Sequence, residues 1–468
     1  MKNVPIERYL ILYIPWVLAM LFQSVPTASY LVAWVGSFFI FFVVYTGKIK
    51  PLPTDHSIPE QIMRPIFIVQ IIFVGYMACS SIFYFLNLYG YNNFQKTNEY
   101  LLIDQNQLAL IAKCQRYYIL GHAALATGML VFMKYPAPSG YYIKKEKLAN
   151  MVMIMALIAF PVSLFFLIVP GLSQFYFQLN SLSFIAGTLA LAFAIPLQKM
   201  WNTIICLLLY CFNFYQGVIS GYKEPIIISV MVLGIFLYPN YKKIVLTVFV
   251  PALLLLFVVL PKFATTFRQN AWSGETETDE ATALALDAAL NDNSANDETN
   301  WDFLVYRLSE ISMFTIYLQS TPNTIDYYGP QLLQQSAIVL VPRVFWPGKP
   351  STEDLVMVRV YDAGAVSRNS KVSAKPAYIV DTYLSAGTLG VFIGLFLYGA
   401  IASAISVKAE KLFGGYTLGT ALIFTGLFQI FWRGLSFEFL INSVFWSYVS
   451  MLLIQKVLIA TSVLKKNN

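Results

Sequence analysis

The residues best placed for chemistry are carboxylates set beside long apolar runs. Asp381 and Glu438 each border such a run, where desolvation would raise a carboxylate pKa toward a range useful for acid–base work. A charged group at membrane depth is costly, so its default reading is functional. Glu310 is a third candidate, followed by Glu224, Asp326, Glu353, Asp354, Asp362 and His122. Structural roles stand beside these. Arg433 lies near enough to Glu438 for an ion pair, Arg307 and Glu310 share one helical flank, and His122 beside Gly121 suits a satisfied core histidine.

The second constellation is cationic. Lys223, Arg268, Arg307, Arg343, Lys349 and Arg433 fall at or near helix ends on one side of the chain's expected topology. Arginine offers a bidentate fork to phosphate and lysine a mobile point charge. Drawn together from separate segments, they could hold a lipid-linked pyrophosphate at the membrane surface, although each alone also suits a snorkelling anchor. Tyr222, Trp346, Tyr378 and Tyr383 belong to an aromatic set around the same segments. Such rings stack on the apolar faces of sugars, and they are also common at any membrane interface.

Several chemistries are excluded. His56 and His122 are the only histidines, and neither has a partner at metal-ligand spacing. There is no nucleophile elbow, Walker loop, His-Glu-x-x-His or dinucleotide fingerprint. No metal or cofactor is therefore expected, and the energy for a reaction must come from an activated bond in the substrate. No basic patch is interleaved with aromatics, so no nucleic-acid partner is expected.

The elements that must position these residues are membrane helices. Hydrophobic residues make up 58% of the chain and charged residues 12%, against about a quarter charged in an ordinary soluble domain. Apolar runs of about 17–25 residues recur, each long enough to cross a hydrocarbon core of roughly 30 Å. The expected fold is all-α, a polytopic protein with about twelve spans, at roughly 8–24, 28–46, 65–88, 117–134, 149–170, 180–198, 201–219, 224–239, 243–261, 387–407, 413–432 and 437–460. Lys48, Lys50, Lys134, Lys242, Lys243, Lys408 and Lys411 fall on one side, which orients both termini toward the cytoplasm.

The chain thus divides into spans over 1–261, a large outer loop over 262–386, and spans over 387–468. Within the loop, 275–298 is acidic and reads as mobile apart from a short helix over Ala281–Leu290. Trp301–Leu318 has helical periodicity, a second short helix covers Gln331–Leu340, and Ser351–Lys375 reads as irregular. The chain returns to the membrane near Tyr378–Gly390. Lys223, just before Pro225, is expected at a helix N-terminus, where backbone N–H groups favour an anion.

The segment Val341-Pro342-Arg343-Val344-Phe345-Trp346-Pro347-Gly348-Lys349-Pro350, late in one large outer loop, resembles the Wzy-type O-antigen and exopolysaccharide repeat-unit polymerases. So do the turn Ser220-Gly221-Tyr222-Lys223 and the stretch Ala377-Tyr378-Ile379-Val380-Asp381-Thr382-Tyr383-Leu384-Ser385-Ala386-Gly387, with Gly390 and Gly394 beyond it. The resemblance implies metal-independent glycosyl transfer on the periplasmic face of a bacterial inner membrane. The substrate would be an undecaprenyl pyrophosphate-linked oligosaccharide, with the bilayer and a chain-length regulator as further partners. Arg343 and Lys349, with Arg268, Arg307 and Lys223, would neutralise the leaving pyrophosphate, and Asp381, Glu310 or Glu438 would act as base. An O-antigen ligase would need the same clamp. A lipid-linked oligosaccharide transporter would instead carry charges at mid-depth, where these helices have few.

Overall fold

The computed structural model describes residues 5–97, 101–143, 145–169, 171–219, 223–271, 278–291, 296–306, 308–369 and 373–466. Among these the chain is helical nearly throughout, with two short antiparallel pairings at Tyr91–Asn92 with Gln95–Lys96 and Tyr141–Tyr142 with Lys465–Lys466. Among the described residues, seven stretches are long and apolar enough to cross a membrane: Pro26–Tyr45, Pro65–Leu88, Lys147–Ile168, Ser173–Ala194, Ile226–Leu256, Tyr378–Phe413 and Phe437–Ala460. Pro26 and Pro65 occupy first turns, where the missing N–H costs nothing.

Two of these stretches are not single rods. Gly234 lies against Phe249, a contact that one straight helix would separate by about 22 Å at 1.5 Å per residue. The chain therefore turns back near Tyr241, whose φ/ψ is non-helical. The second case is more consequential. Ala386 and Gly387 break helix Tyr378–Phe413, and Gly387 adopts φ +58, a left-handed conformation suited to glycine. Beyond the break, a Cβ at Gly390 would collide with the Thr382 carbonyl and one at Gly394 with the Thr382 side chain. Tyr378 stacks on Tyr398 with ring centroids 4.2 Å apart. Residues 378–385 thus fold back along 388–413 as a short re-entrant arm. The expected return of the chain near Tyr378–Gly390 takes this form.

Helix Gln105–Phe132 is the central post. Asp104 caps it, its carboxylate accepting from the N–H groups of Asn106 and Gln107. It runs along the 388–413 arm through glycines: a Cβ at Gly128 would meet the Phe396 carbonyl and one at Gly399 the Leu125 carbonyl. Small residues let two backbones approach where lipid supplies no hydrophobic drive.

The described residues of the region 262–386 are mostly helical. Thr278–Asn291 packs Ala281 and Ala285 on Phe263 and Phe267 of helix Val250–Ala271, so the short acidic helix exists among the described residues. The periodic run 301–318 is split into Asn296–Tyr306 and Ile311–Ser320. Gln331–Leu340 is helical as expected. Ser351–Lys375 departs from expectation, because Thr352–Asp362 is a helix capped by Ser351, whose hydroxyl accepts from the Asp354 N–H. The capping hydroxyl and the acidic first turn outweigh the polar composition.

Candidate functional site

Helix Thr352–Asp362 buries Val356, Met357 and Val360, and Arg359 falls on the same face. Its guanidinium sits between the two carboxylates singled out from the sequence. Nε and Nη2 donate to the Asp381 oxygens at 2.9 and 2.8 Å, while Nη1 and Nη2 donate to the Glu438 oxygens at 2.8 and 2.7 Å. The Phe437 N–H adds a fifth bond, to Asp381 Oδ2 at 2.8 Å. Arg359 is 2% exposed and both carboxylates 0%. Burial opposes the charge on Arg359, yet Asp381 and Glu438 outweigh it and hold the guanidinium above its ordinary pKa. One arginine therefore ties three segments together: the loop helix, the re-entrant arm and the start of helix Phe437–Ala460.

This arrangement separates the candidate bases. Asp381 and Glu438 spend their oxygens on Arg359, a structural ion pair of the kind expected for Glu438 but with Arg359 in place of Arg433. Glu310 is different. It precedes helix Ile311–Ser320, is half-buried, and accepts from the Tyr76 hydroxyl at 2.8 Å. Burial pushes its pKa up, partly offset by that hydrogen bond. Tyr76 lies in a π-helical stretch, Phe73–Cys79, inside the Pro65–Leu88 span, a distortion frequent at functional sites. Helix Ile311–Ser320 is held against the re-entrant arm: Tyr383 donates its hydroxyl proton to the Thr321 carbonyl at 2.7 Å, and the N–H groups of Tyr328 and Gly329 donate to Leu384 and Ser385.

Of the expected cations, Lys349, Arg343 and Arg433 have described side chains. Lys349 is buried and donates to the Val339 and Val341 carbonyls at 3.0 and 2.6 Å, capping the end of helix Gln331–Leu340. Burial and the neighbouring Arg343 lower its pKa. Arg343 is half-buried in the same turn, and Arg433 is half-buried on the short helix Ile430–Arg433. Tyr222 and Arg307 lie outside the described residues, as do the side chains of Lys223 and Arg268. Of the expected glycan-stacking rings, Trp346 is exposed, whereas Tyr378 and Tyr383 are core residues. His122 is a buried core residue with Nε2 3.0 Å from Gln70 Nε2, but its Nδ1 has no partner among the described residues, so it is not the fully satisfied histidine expected.

Three irregular elements meet at one place. The π-helical turn supplies Phe73 and Tyr76, the re-entrant arm supplies Tyr378, and the break before helix Phe437–Ala460 supplies Phe431, Trp432 and Gly434. Between them is a narrow crevice with room for little more than one water molecule. The Tyr378 N–H donates to the Gly434 carbonyl at 3.0 Å, and Gly434 takes φ +66. Irregular backbone at membrane depth is tolerated where protein buries it or where it lines a cavity.

Sequence reasoning passed over Arg359 as a site residue, although an arginine on a Val356/Val360 stripe was a usable signal. It also missed a matching clamp at the other end of helix Tyr378–Phe413. There Arg64 donates to Glu410 at 3.0 and 3.1 Å and to Asp55 at 2.7 and 2.6 Å, with Tyr135 4.1 Å from the guanidinium. Among the described residues no group of His, Cys, Asp and Glu stands together to hold a metal ion.

No curated protein and no solved structure matches the chain. Residues 14–466 match the model of a family described as a domain of unknown function, DUF8712. That match covers nearly the whole sequence, and the chain belongs to this family.

Proposed function

We propose that this protein is a metal-independent membrane glycosyltransferase that joins lipid pyrophosphate-linked oligosaccharide units into O-antigen or exopolysaccharide. In this reading about twelve helices cross a bacterial inner membrane, both termini are cytoplasmic, and residues 262–386 form a periplasmic lid. The observation that carries the reading is Glu310. Among the described residues it alone of the three candidate bases accepts no guanidinium, and burial holds its pKa up toward the range where a general base works best.

An acceptor hydroxyl would attack the anomeric carbon of the donor sugar while Glu310 takes its proton. The bond from that carbon to the pyrophosphate oxygen breaks, and the electron pair leaves with the pyrophosphate. Arg343 and Arg433, with Lys223, Arg268 and Arg307, are the cations that would neutralise it, in the manner of any preorganised site that stabilises developing negative charge. Asp381 and Glu438 are assigned to the support of Glu310 through Arg359 and the re-entrant arm, and Lys349 to the support of Arg343.

The test is deletion in the native bacterium followed by analysis of surface glycans. Accumulation of single repeat units supports the reading. Finished polymer that is no longer transferred to its acceptor would replace it with a ligase, and lipid-linked units trapped inside the cell would replace it with a transporter.

A further inference from the structure

The carbonyls at the end of helix Gln331–Leu340 are bonded within the protein. A helix leaves its last carbonyls without intrahelical partners, and at a surface loop water commonly serves them. Here the Val341 N–H donates to the Ile338 carbonyl at 3.4 Å. Lys349 Nζ serves Val339 and Val341, and Trp446 Nε1 donates to the Leu340 carbonyl at 3.1 Å. The N–H groups of Phe345 and Trp346 donate to the Pro342 carbonyl at 3.0 and 3.2 Å. From Ile338 to Pro342 no carbonyl needs water, the condition that hydrocarbon imposes on a backbone.

The side chains of the same turn reverse the usual pattern of a surface loop. Val341, Val344, Phe345 and Trp346 are all exposed, Phe345 by 80%. Apolar area of this size is costly to leave in water, and a contiguous patch marks a contact surface.

The level of the turn says what it contacts. Helix Gln331–Leu340 packs along helix Phe437–Ala460. Trp446, which holds the Leu340 carbonyl, stands about 21 Å from the Ala460 end at roughly 1.5 Å per residue. A hydrocarbon core is roughly 30 Å thick, so the turn meets this span at or below the edge of that layer. Two neighbours mark the same level. Phe175, at the start of the span Ser173–Ala194, meets Trp446 with ring centroids 4.9 Å apart. A Cβ on Gly171, just past the span Lys147–Ile168, would lie 3.0 Å from Val344. The exposed patch is therefore continuous with the ends of spans whose own Ile168 and Phe445 are exposed.

We propose that the 341–346 turn dips into the leaflet on this side, with Phe345 and Trp346 among the upper acyl chains of phospholipids. Trp346 then serves the membrane and not a glycan. The inference rests on helix Phe437–Ala460 crossing a membrane and is independent of the glycosyltransferase reading.

The test uses full-length protein in nanodiscs of phosphatidylethanolamine and phosphatidylglycerol. The emission lost in Trp346→Phe isolates Trp346 from the other tryptophans. Phospholipids brominated high on the acyl chain should quench that emission several-fold more than those brominated near the chain end, and aqueous iodide should leave it unchanged. In a second protein that keeps Trp346, benzoylphenylalanine placed at position 345 should, on illumination, add the mass of a phospholipid to its peptide. Quenching by iodide and not by bromolipid would overturn the proposal, as would a photoadduct with a second copy of the chain or no lipid adduct at all. Neither readout needs a sugar substrate, so failure here leaves the glycosyltransferase reading standing, and failure to polymerise leaves the membrane contact standing.

Discussion

Replacing Arg359 by methionine leaves Asp381 and Glu438 facing one another in a dry interior. Four charge-assisted hydrogen bonds of 2.7–2.9 Å vanish at once, and only the Phe437 N–H still serves Asp381. Breaking a buried ion pair by removing one partner costs about 3–5 kcal/mol, because an uncompensated charge remains. At 1.4 kcal/mol per factor of ten, that is about two to three and a half orders of magnitude in the unfolding equilibrium. The same physics predicts a rescue. Arg359→Met combined with Asp381→Asn and Glu438→Gln removes the charges together, which is often nearly neutral, so the triple variant should be more stable than the single one. Arg359→Lys should fall between, since one ammonium cannot fork to two carboxylates. The assay is the fraction of monodisperse protein surviving a heating series in detergent. A triple variant no more stable than Arg359→Met would refute the electrostatic account and leave only lost packing.

Glu310→Gln should abolish transfer with little loss of fold. In wild type, activity should rise with pH as the raised carboxyl ionises. Stability should run the other way: the folded state binds the extra proton between the ordinary carboxylate value and the raised one, so stability falls as pH rises through that window. A pH–stability slope unchanged in Glu310→Gln would contradict this. Asp55 has the opposite sign. Burial works to raise its pKa, but Arg64 outweighs burial and holds it down, so its contribution is present above the ordinary Asp value and lost as pH falls through the lowered one. Asp55→Asn should flatten that acid limb of the stability profile. Gly390→Ala would drive a methyl group into the Thr382 carbonyl, and overpacking of this kind costs about 1–3 kcal/mol. The measurement is thermal stability, and a variant as stable as wild type would mean that the re-entrant arm is not packed as described.

Much of the helical scaffold was legible because it is set by local signals. Pro26 and Pro65 mark helix starts, apolar length marks the spans, and Gln331–Leu340 was bounded correctly by its turn residues. The Ser351 cap and acidic first turn were equally local, and a polar composition hid them. What composition could not give was partnership between distant segments. Asp381 and Glu438 were found by their apolar surroundings, but nothing in a run of residues tells a carboxylate with a counter-ion from one without. Arg359 and Arg64 decide that for four acidic groups, and both act across long stretches of chain. Tyr378 and Tyr383 share their composition with interface aromatics, and only the back-folded arm buries them. Lys349 was grouped with the cations for pyrophosphate, yet it is buried and its ammonium caps a helix.

The central claim is that Glu310 serves as the base of a polymerising glycosyltransferase. Purified full-length protein, reconstituted with the lipid pyrophosphate-linked repeat units of its own bacterium, should convert them to a ladder on a gel without added nucleotide. Glu310→Gln at equal protein should leave single units. A full ladder from Glu310→Gln, or no ladder from properly folded wild type, would contradict the claim.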